Sequence, residues 1–124
     1  MPVIHPPTEP THAIGGTRFT SLATPSRGST DLSLWRVAIA PGTEPTPHAL
    51  TREEIFVVLS GTAEVIIDGN PEAAGEGDAI VVPRETRFSL ANAGDESLEL
   101  LCCLPIGGQA RLEDGSVLTP PWAQ

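Results

Sequence analysis

GTEPTPHALTREEIFVVLSG, residues 42–61, and GDAIVVPRETRFSLAN, residues 77–92, decide the fold. Within the first stretch, residues 54–59 are apolar at both parities. Phe56 and Val58 follow Glu54 on one side, and Ile55, Val57 and Leu59 lie on the other. The run stops at Ser60-Gly61, a second apolar run covers residues 63–67, and Asp68-Gly69 closes it. Two apolar runs separated by so short a turn signal predict a β-hairpin pairing 54–59 with 63–67. In the second stretch, residues 78–82 stop at Pro83, and residues 87–92 run into a turn at 93–97. Residues 70–77, between the two stretches, read as a loop.

The same punctuation continues outward. Residues 17–22 form a short run. Residues 31–40 alternate and stop at Pro41-Gly42, residues 98–104 stop at Pro105 and Gly107-Gly108, and a last piece surrounds Val117. The 12 glycines and 13 prolines sit between these runs and not in one tract. No segment repeats at the helical period with caps, so the prediction is an all-β chain. At 124 residues it forms one domain, 1–124, with a Pro-rich N-terminal arm at 1–12.

Charge narrows the partners. Seven arginines, with no lysine, face sixteen acidic residues, for a net charge of −9. Nucleic-acid binding needs a basic patch, and an anionic membrane surface attracts cations, so neither is an expected partner. No stretch reaches the about 18 apolar residues of a helical span. Residues 1–12 lack the basic and apolar regions of a secretory leader. Cys102 and Cys103 are neighbours that point to opposite faces of a strand, which strains any bridge between them, and two free thiols fit a reducing, cytoplasmic setting. Runs apolar on both faces, such as Val65-Ile66-Ile67 and Ile80-Val81-Val82, need cover on both sides. A barrel interior covers one side, and a second copy or the N-terminal arm covers the other, which predicts a homodimer.

Gly42, His48, Leu50, Glu54 and Gly61 follow one another at the spacing Gly-x5-His-x-His-x(3,4)-Glu-x6-Gly, and Gly77, Pro83, Glu85, Phe88 and Asn92 at the spacing Gly-x5-Pro-x-Gly-x2-His-x3-Asn. These are the two motifs of the cupin superfamily, and the chain resembles a small single-domain cupin over residues 42–92. The resemblance implies a jelly-roll β-barrel of two antiparallel sheets. It also implies a site, because in the family two His and the Glu of the first motif and the His of the second hold a metal. His48 and Glu54 carry over as ligands. Leu50 and Phe88 stand where the other two imidazoles belong, and Glu85 stands in place of a glycine.

Half a ligand set changes the chemistry. Open zinc sites use about three protein ligands, and the non-haem iron triad needs two His and a carboxylate. Leu50 and Phe88 therefore disfavour a divalent metal, and the cofactor is left unassigned. His48 and Glu54 become candidates for an acid–base pair, with a weak metal site as the other role for the same two residues. Burial raises the pKa of Glu54, whereas a nearby His48 lowers it, and the balance is open at this stage. Leu50, Phe56, Phe88 and Cys102 are expected to line the pocket, with Arg36 as an anchor for an anionic group or half of a surface ion pair. His5 and His12, if the arm folds over a barrel mouth, are candidates to replace a lost ligand. The functional expectation is a protein that binds a small organic molecule in the barrel, with isomerase, cyclase or lyase chemistry on His48 and Glu54. The alternatives are a non-catalytic ligand-binding or sensing module and a scaffold that only dimerises.

Overall fold

The computed structural model describes residues 3–124, so the first two residues of the arm at 1–12 lie outside the described part. Twelve strands follow in order: β1 His12–Ile14, β2 Thr17–Ala23, β3 Leu32–Ile39, β4 His48–Leu50, β5 Glu54–Ser60, β6 Ala63–Ile67, β7 Asn70–Ala74, β8 Ala79–Val82, β9 Phe88–Asn92, β10 Leu98–Pro105, β11 Ala110–Leu112 and β12 Val117–Leu118. Two 3-10 turns, Pro25–Arg27 and Pro121–Ala123, are the only helical pieces among the described residues. No described helix is long and apolar enough to cross a membrane.

The strands form two antiparallel sheets of six. One runs β1-β2-β3-β10-β5-β8 and the other β12-β11-β4-β9-β6-β7. Strand period explains the core. In β10, Leu98, Leu100, Cys102 and Leu104 point inward, and in β3 Ser33, Trp35, Val37 and Ile39 do the same. Cys102 pairs with Trp35 on one side and Phe56 on the other, which places the thiol in the middle of the first sheet's inner face. Leu50, Val65 and Phe88 close the interior from the second sheet.

Two expectations about local structure need correction. β5 and β6 do not form a hairpin. β5 pairs with β10 and β8, and β6 pairs with β7 and β9, so Ser60-Gly61 carries the chain from one sheet to the other. Gly61 has φ +90, and a Cβ there would meet the Ser97 carbonyl oxygen at 2.9 Å. The glycine serves a crossing packed on a neighbouring backbone, not a tight turn between paired strands. The hairpin lies one element later. Asp68 and Gly69, with φ 51 and 82, join β6 to β7 as a two-residue turn with positive φ at both central positions. Residues 70–74, read as loop, are therefore the edge strand β7, where Pro71 is tolerated because one side of the strand is unpaired.

The two ends of the chain are fastened to the first sheet. Trp122 stacks on Phe19 at 3.7 Å, and Ser21 and Ser33 donate to the Trp122 and Ala123 carbonyls at 2.7 and 2.6 Å. The N-terminal arm lies along the 3-10 turn, where Arg27 donates to the His5 carbonyl at 2.6 Å.

Candidate functional site

His48 opens β4, pairs with Phe88 of β9, and is half-buried. Its Nδ1 lies 2.8 Å from the Thr46 carbonyl oxygen. A carbonyl only accepts, so Nδ1 carries the proton and Nε2 keeps its lone pair. Burial lowers the pKa of His48, partly offset by the Thr46 carbonyl, which favours the charged ring. The imidazole packs on Phe88 with centroids 4.6 Å apart, and Phe88 in turn faces Phe56 at 5.9 Å.

Glu54 opens β5 on the facing sheet, on the same inner face as Phe56. Only 5% of it is exposed. Of the other buried polar groups, Ser21 and Ser33 donate to the C-terminal carbonyls and Thr24 lies on Ser26, while Ser29 Oγ is buried without a partner. Among the described residues, Glu54 makes no hydrogen bond or ion pair through its carboxyl. Burial alone pushes its pKa up to about 8. This resolves the balance the sequence left open, in favour of desolvation. His48 and Glu54 are therefore not a hydrogen-bonded dyad. They lie on opposite sheets, each with its pKa moved by burial toward the uncharged form.

The remaining candidates divide. Leu50 and Phe88, each 2% exposed, fill the positions where ligand imidazoles would stand, and Phe56 lies between the sheets with them. Cys102 is fully buried, and its thiol is held well above its usual range, first by burial and then by the charge Glu54 would carry. Arg36 does not line the interior. It is exposed on the outer face of β3 and pairs with Glu99 at 3.6 Å, because its parity is opposite to that of Trp35 and Val37. His12 donates to or accepts from Thr11 at 2.9 Å and meets the edge of Trp122, on the β1–β2 side of the first sheet, and His5 is exposed. Neither completes a ligand set.

A metal of the family's kind does not fit these residues. Among the described residues no group of three or more His, Cys, Asp or Glu converges. Two donors on facing sheets, with leucine and phenylalanine in the other ligand places, leave the coordination sphere without protein groups.

Three residues acquire roles that the motif reading did not assign. Thr46 fixes the tautomer of His48. Glu85 adopts φ 58, the left-handed backbone for which the motif's glycine is suited, and is held there by Arg111 at 2.8 Å and by its own N–H on the Leu50 carbonyl. Asn92 ties three backbone groups together, donating to the Ile39 and Glu96 carbonyls and accepting from Gly94. The first had no sequence signal. The other two were visible only as motif positions. A cleft of about 250 Å³ opens between the edge strands β7 and β8, and none of His48, Leu50, Glu54, Phe56 and Phe88 lines it. Its wall includes Ile67 and Ile80, the cross-strand partners of Phe88 and Phe56.

Comparison with known proteins agrees with this architecture. A family model described as the cupin domain matches residues 35–104. An uncharacterized protein of Methanocaldococcus jannaschii, MJ1618, is 31% identical over 72 residues, which are 57% of this chain and 58% of that protein. The structure of KdgF from Halomonas sp. overlays with a TM-score of 0.68 at 26% identity, covering 78% of this chain and 86% of that one. The polyketide cyclase RemF of Streptomyces resistomycificus overlays with a TM-score of 0.70 at 20% identity, covering 94% and 79%.

Two measurements check the site. Between the ordinary 4.5 of an unfolded Glu54 and about 8 in the fold, the folded chain holds a proton that the unfolded chain has lost. Stability therefore falls as pH rises through that window, by up to about 1.4 kcal/mol per unit, and levels off above it. Glu54→Gln removes this slope, so urea unfolding from pH 5 to 9 should show its advantage over the parent growing with pH. A difference independent of pH would mean Glu54 is solvated. Separately, the double variant Leu50→His, Phe88→His restores the missing donors. Elemental analysis after dialysis against zinc should find about one metal per chain in the variant and far less in the parent.

Proposed function

The chain belongs to the cupin-domain family, and on that premise we propose that it binds a small organic molecule between its sheets and moves protons on it with His48 and Glu54, without a metal. The reaction class is isomerase, cyclase or lyase. The observation that carries the reading is Glu54, a buried carboxyl with no hydrogen-bond partner and a pKa pushed up to about 8, two residues from Phe56 in the interior where Phe56 meets Phe88 and Phe88 meets His48. A general acid is most effective when its pKa lies near the working pH and it is protonated at the start.

The step balances without a further reagent. His48 Nε2 takes a proton from the carbon next to a carbonyl on the ligand, while the Glu54 carboxylic acid gives one to that carbonyl's oxygen. The ligand becomes its enol, and imidazolium and carboxylate remain until both protons return. Leu50, Phe56 and Phe88 exclude water, which keeps both groups uncharged between turnovers. The two groups must bracket the ligand, because they do not touch each other.

The test is hydrogen–deuterium exchange of the methyl protons of 2′-hydroxyacetophenone, the ring-hydroxylated methyl ketone, in D2O, followed by NMR. The expected result is exchange above buffer for the parent and loss of at least about tenfold in His48→Ala and in Glu54→Gln, with folding checked by circular dichroism. Saturable binding without exchange would leave a binding module, and neither binding nor exchange would overturn the reading.

We also propose that two copies associate through the outer face of the first sheet. Leu34, Cys103, Ile55 and Val81 are in register across β3, β10, β5 and β8, and Ile55 and Val81 are 37% and 49% exposed. The same face carries Arg18, Arg36 and Glu99. Two arginines against one glutamate make this face less acidic than the rest of a chain whose net charge of −9 otherwise resists self-association. Sedimentation should give a dimer at micromolar concentration and a monomer for Ile55→Asp, Val81→Asp, and a monomeric parent would overturn the proposal.

A further inference from the structure

β4, the strand that opens on His48, is held unevenly. Its three residues all pair with β11, but only one register position ties it to β9, His48 with Phe88. One further backbone bond reaches it from that side, the Glu85 N–H on the Leu50 carbonyl at 2.7 Å. Two ion pairs bridge the same gap. β11 and β9 flank β4 on opposite sides. Arg111 of β11, opposite Ala49, forks onto the Glu85 carboxylate ahead of β9 at 2.8 and 3.1 Å. Arg87, just before Phe88, donates the other way to Glu113, just after Leu112, the β11 partner of His48. Ala110, Leu50 and Phe88 face the core, so by alternation Arg111, Ala49 and Arg87 face outward. Both bridges therefore pass over the outer face of β4, where its side chain is a single methyl.

We infer that Arg111, Glu85, Arg87 and Glu113 are positioning residues for His48: the two bridges strap β4 to β9 and hold the imidazole against Phe88. Glu85 keeps φ 58, a strained backbone for a residue with a Cβ, and from it reaches both Arg111 and the Leu50 carbonyl. An exposed ion pair shifts an equilibrium by no more than about fivefold. That is little for the whole fold, but it matters to a three-residue strand with one register pair on that side. The role is independent of the reaction proposed above, because it concerns where His48 sits and not what it does.

The chain has three histidines, so the His48 ring protons can be assigned with His5→Gln and His12→Gln and followed by NMR above the imidazole titration range. Their ring-current shift reports the contact with Phe88, centroids 4.6 Å apart. In Arg87→Met, Arg111→Met these signals should move toward those of exposed His5. The Glu85 and Thr51 amides, bonded to the Leu50 and Gln109 carbonyls, should exchange on the order of tenfold faster, and the β3 and β10 amides should change less. Salt at about 1 M should move the parent the same way. Glu85→Arg alone should displace His48, and adding Arg111→Glu should restore it. Arg18→Met removes an exposed arginine that makes no ion pair among the described residues and should leave His48 in place. Unmoved His48 signals in the double variant, an equal rise in exchange across all strands, no restoration by the exchanged charges, or an equal shift in Arg18→Met would each overturn the strap.

Discussion

Gly61 is where the chain leaves one sheet for the other, and the geometry of that crossing fixes what can meet inside. Its φ of +90 turns the backbone sharply, and the absence of a Cβ lets it lie against the Ser97 carbonyl and the Leu98 backbone. β5 therefore ends in the first sheet and β6 begins in the second. The inward positions of β5, Glu54, Phe56 and Val58, consequently face Leu50 and Phe88 and are not paired beside Val65. Had the chain folded back as a hairpin, Glu54 would lie at the rim of a single sheet with water on one side. The crossing is what makes a charged residue type into a buried one, and a buried carboxyl is the centre of the site.

Much of this was legible because strand parity is a strong constraint. Trp35, Val37 and Ile39 already commit one side of β3 to the core, and with them they commit Arg36 to the outside, so its assignment to the pocket conflicted with the parity of its own strand. Glu54 shares parity with Phe56 and Val58, and its burial follows from theirs. The two cupin motifs located the crossing glycine, the site strands and the half-missing ligand set. What parity does not give is pairing between strands. Ser60-Gly61 and Asp68-Gly69 look alike as turn signals, and only the packing of Gly61 on a strand distant in sequence separates a crossing from a hairpin. Residues 70–74 were illegible as a strand for a related reason: Asn, Pro, Glu and two alanines have little strand preference, and β7 exists because β6 offers it a partner. The tautomer of His48 was illegible altogether, since it depends on one carbonyl two residues away.

The site's two anomalies have one cause. Leu50 and Phe88 occupy the places of two ligand imidazoles, and by doing so they remove donors that a metal needs. The same side chains strip water from the interior that Glu54 enters, and none of the chain's arginines is buried there to offset the loss. The carboxyl responds by holding its proton to a pKa near 8, and the imidazole responds in the opposite direction by giving its proton up more readily. Exchanging imidazoles for apolar side chains thus does more than disable a metal centre. It leaves a carboxyl and an imidazole that burial moves in opposite pKa directions, each toward its uncharged form. A metal needs more protein donors than the two present here, whereas the acid–base chemistry proposed above needs only those two.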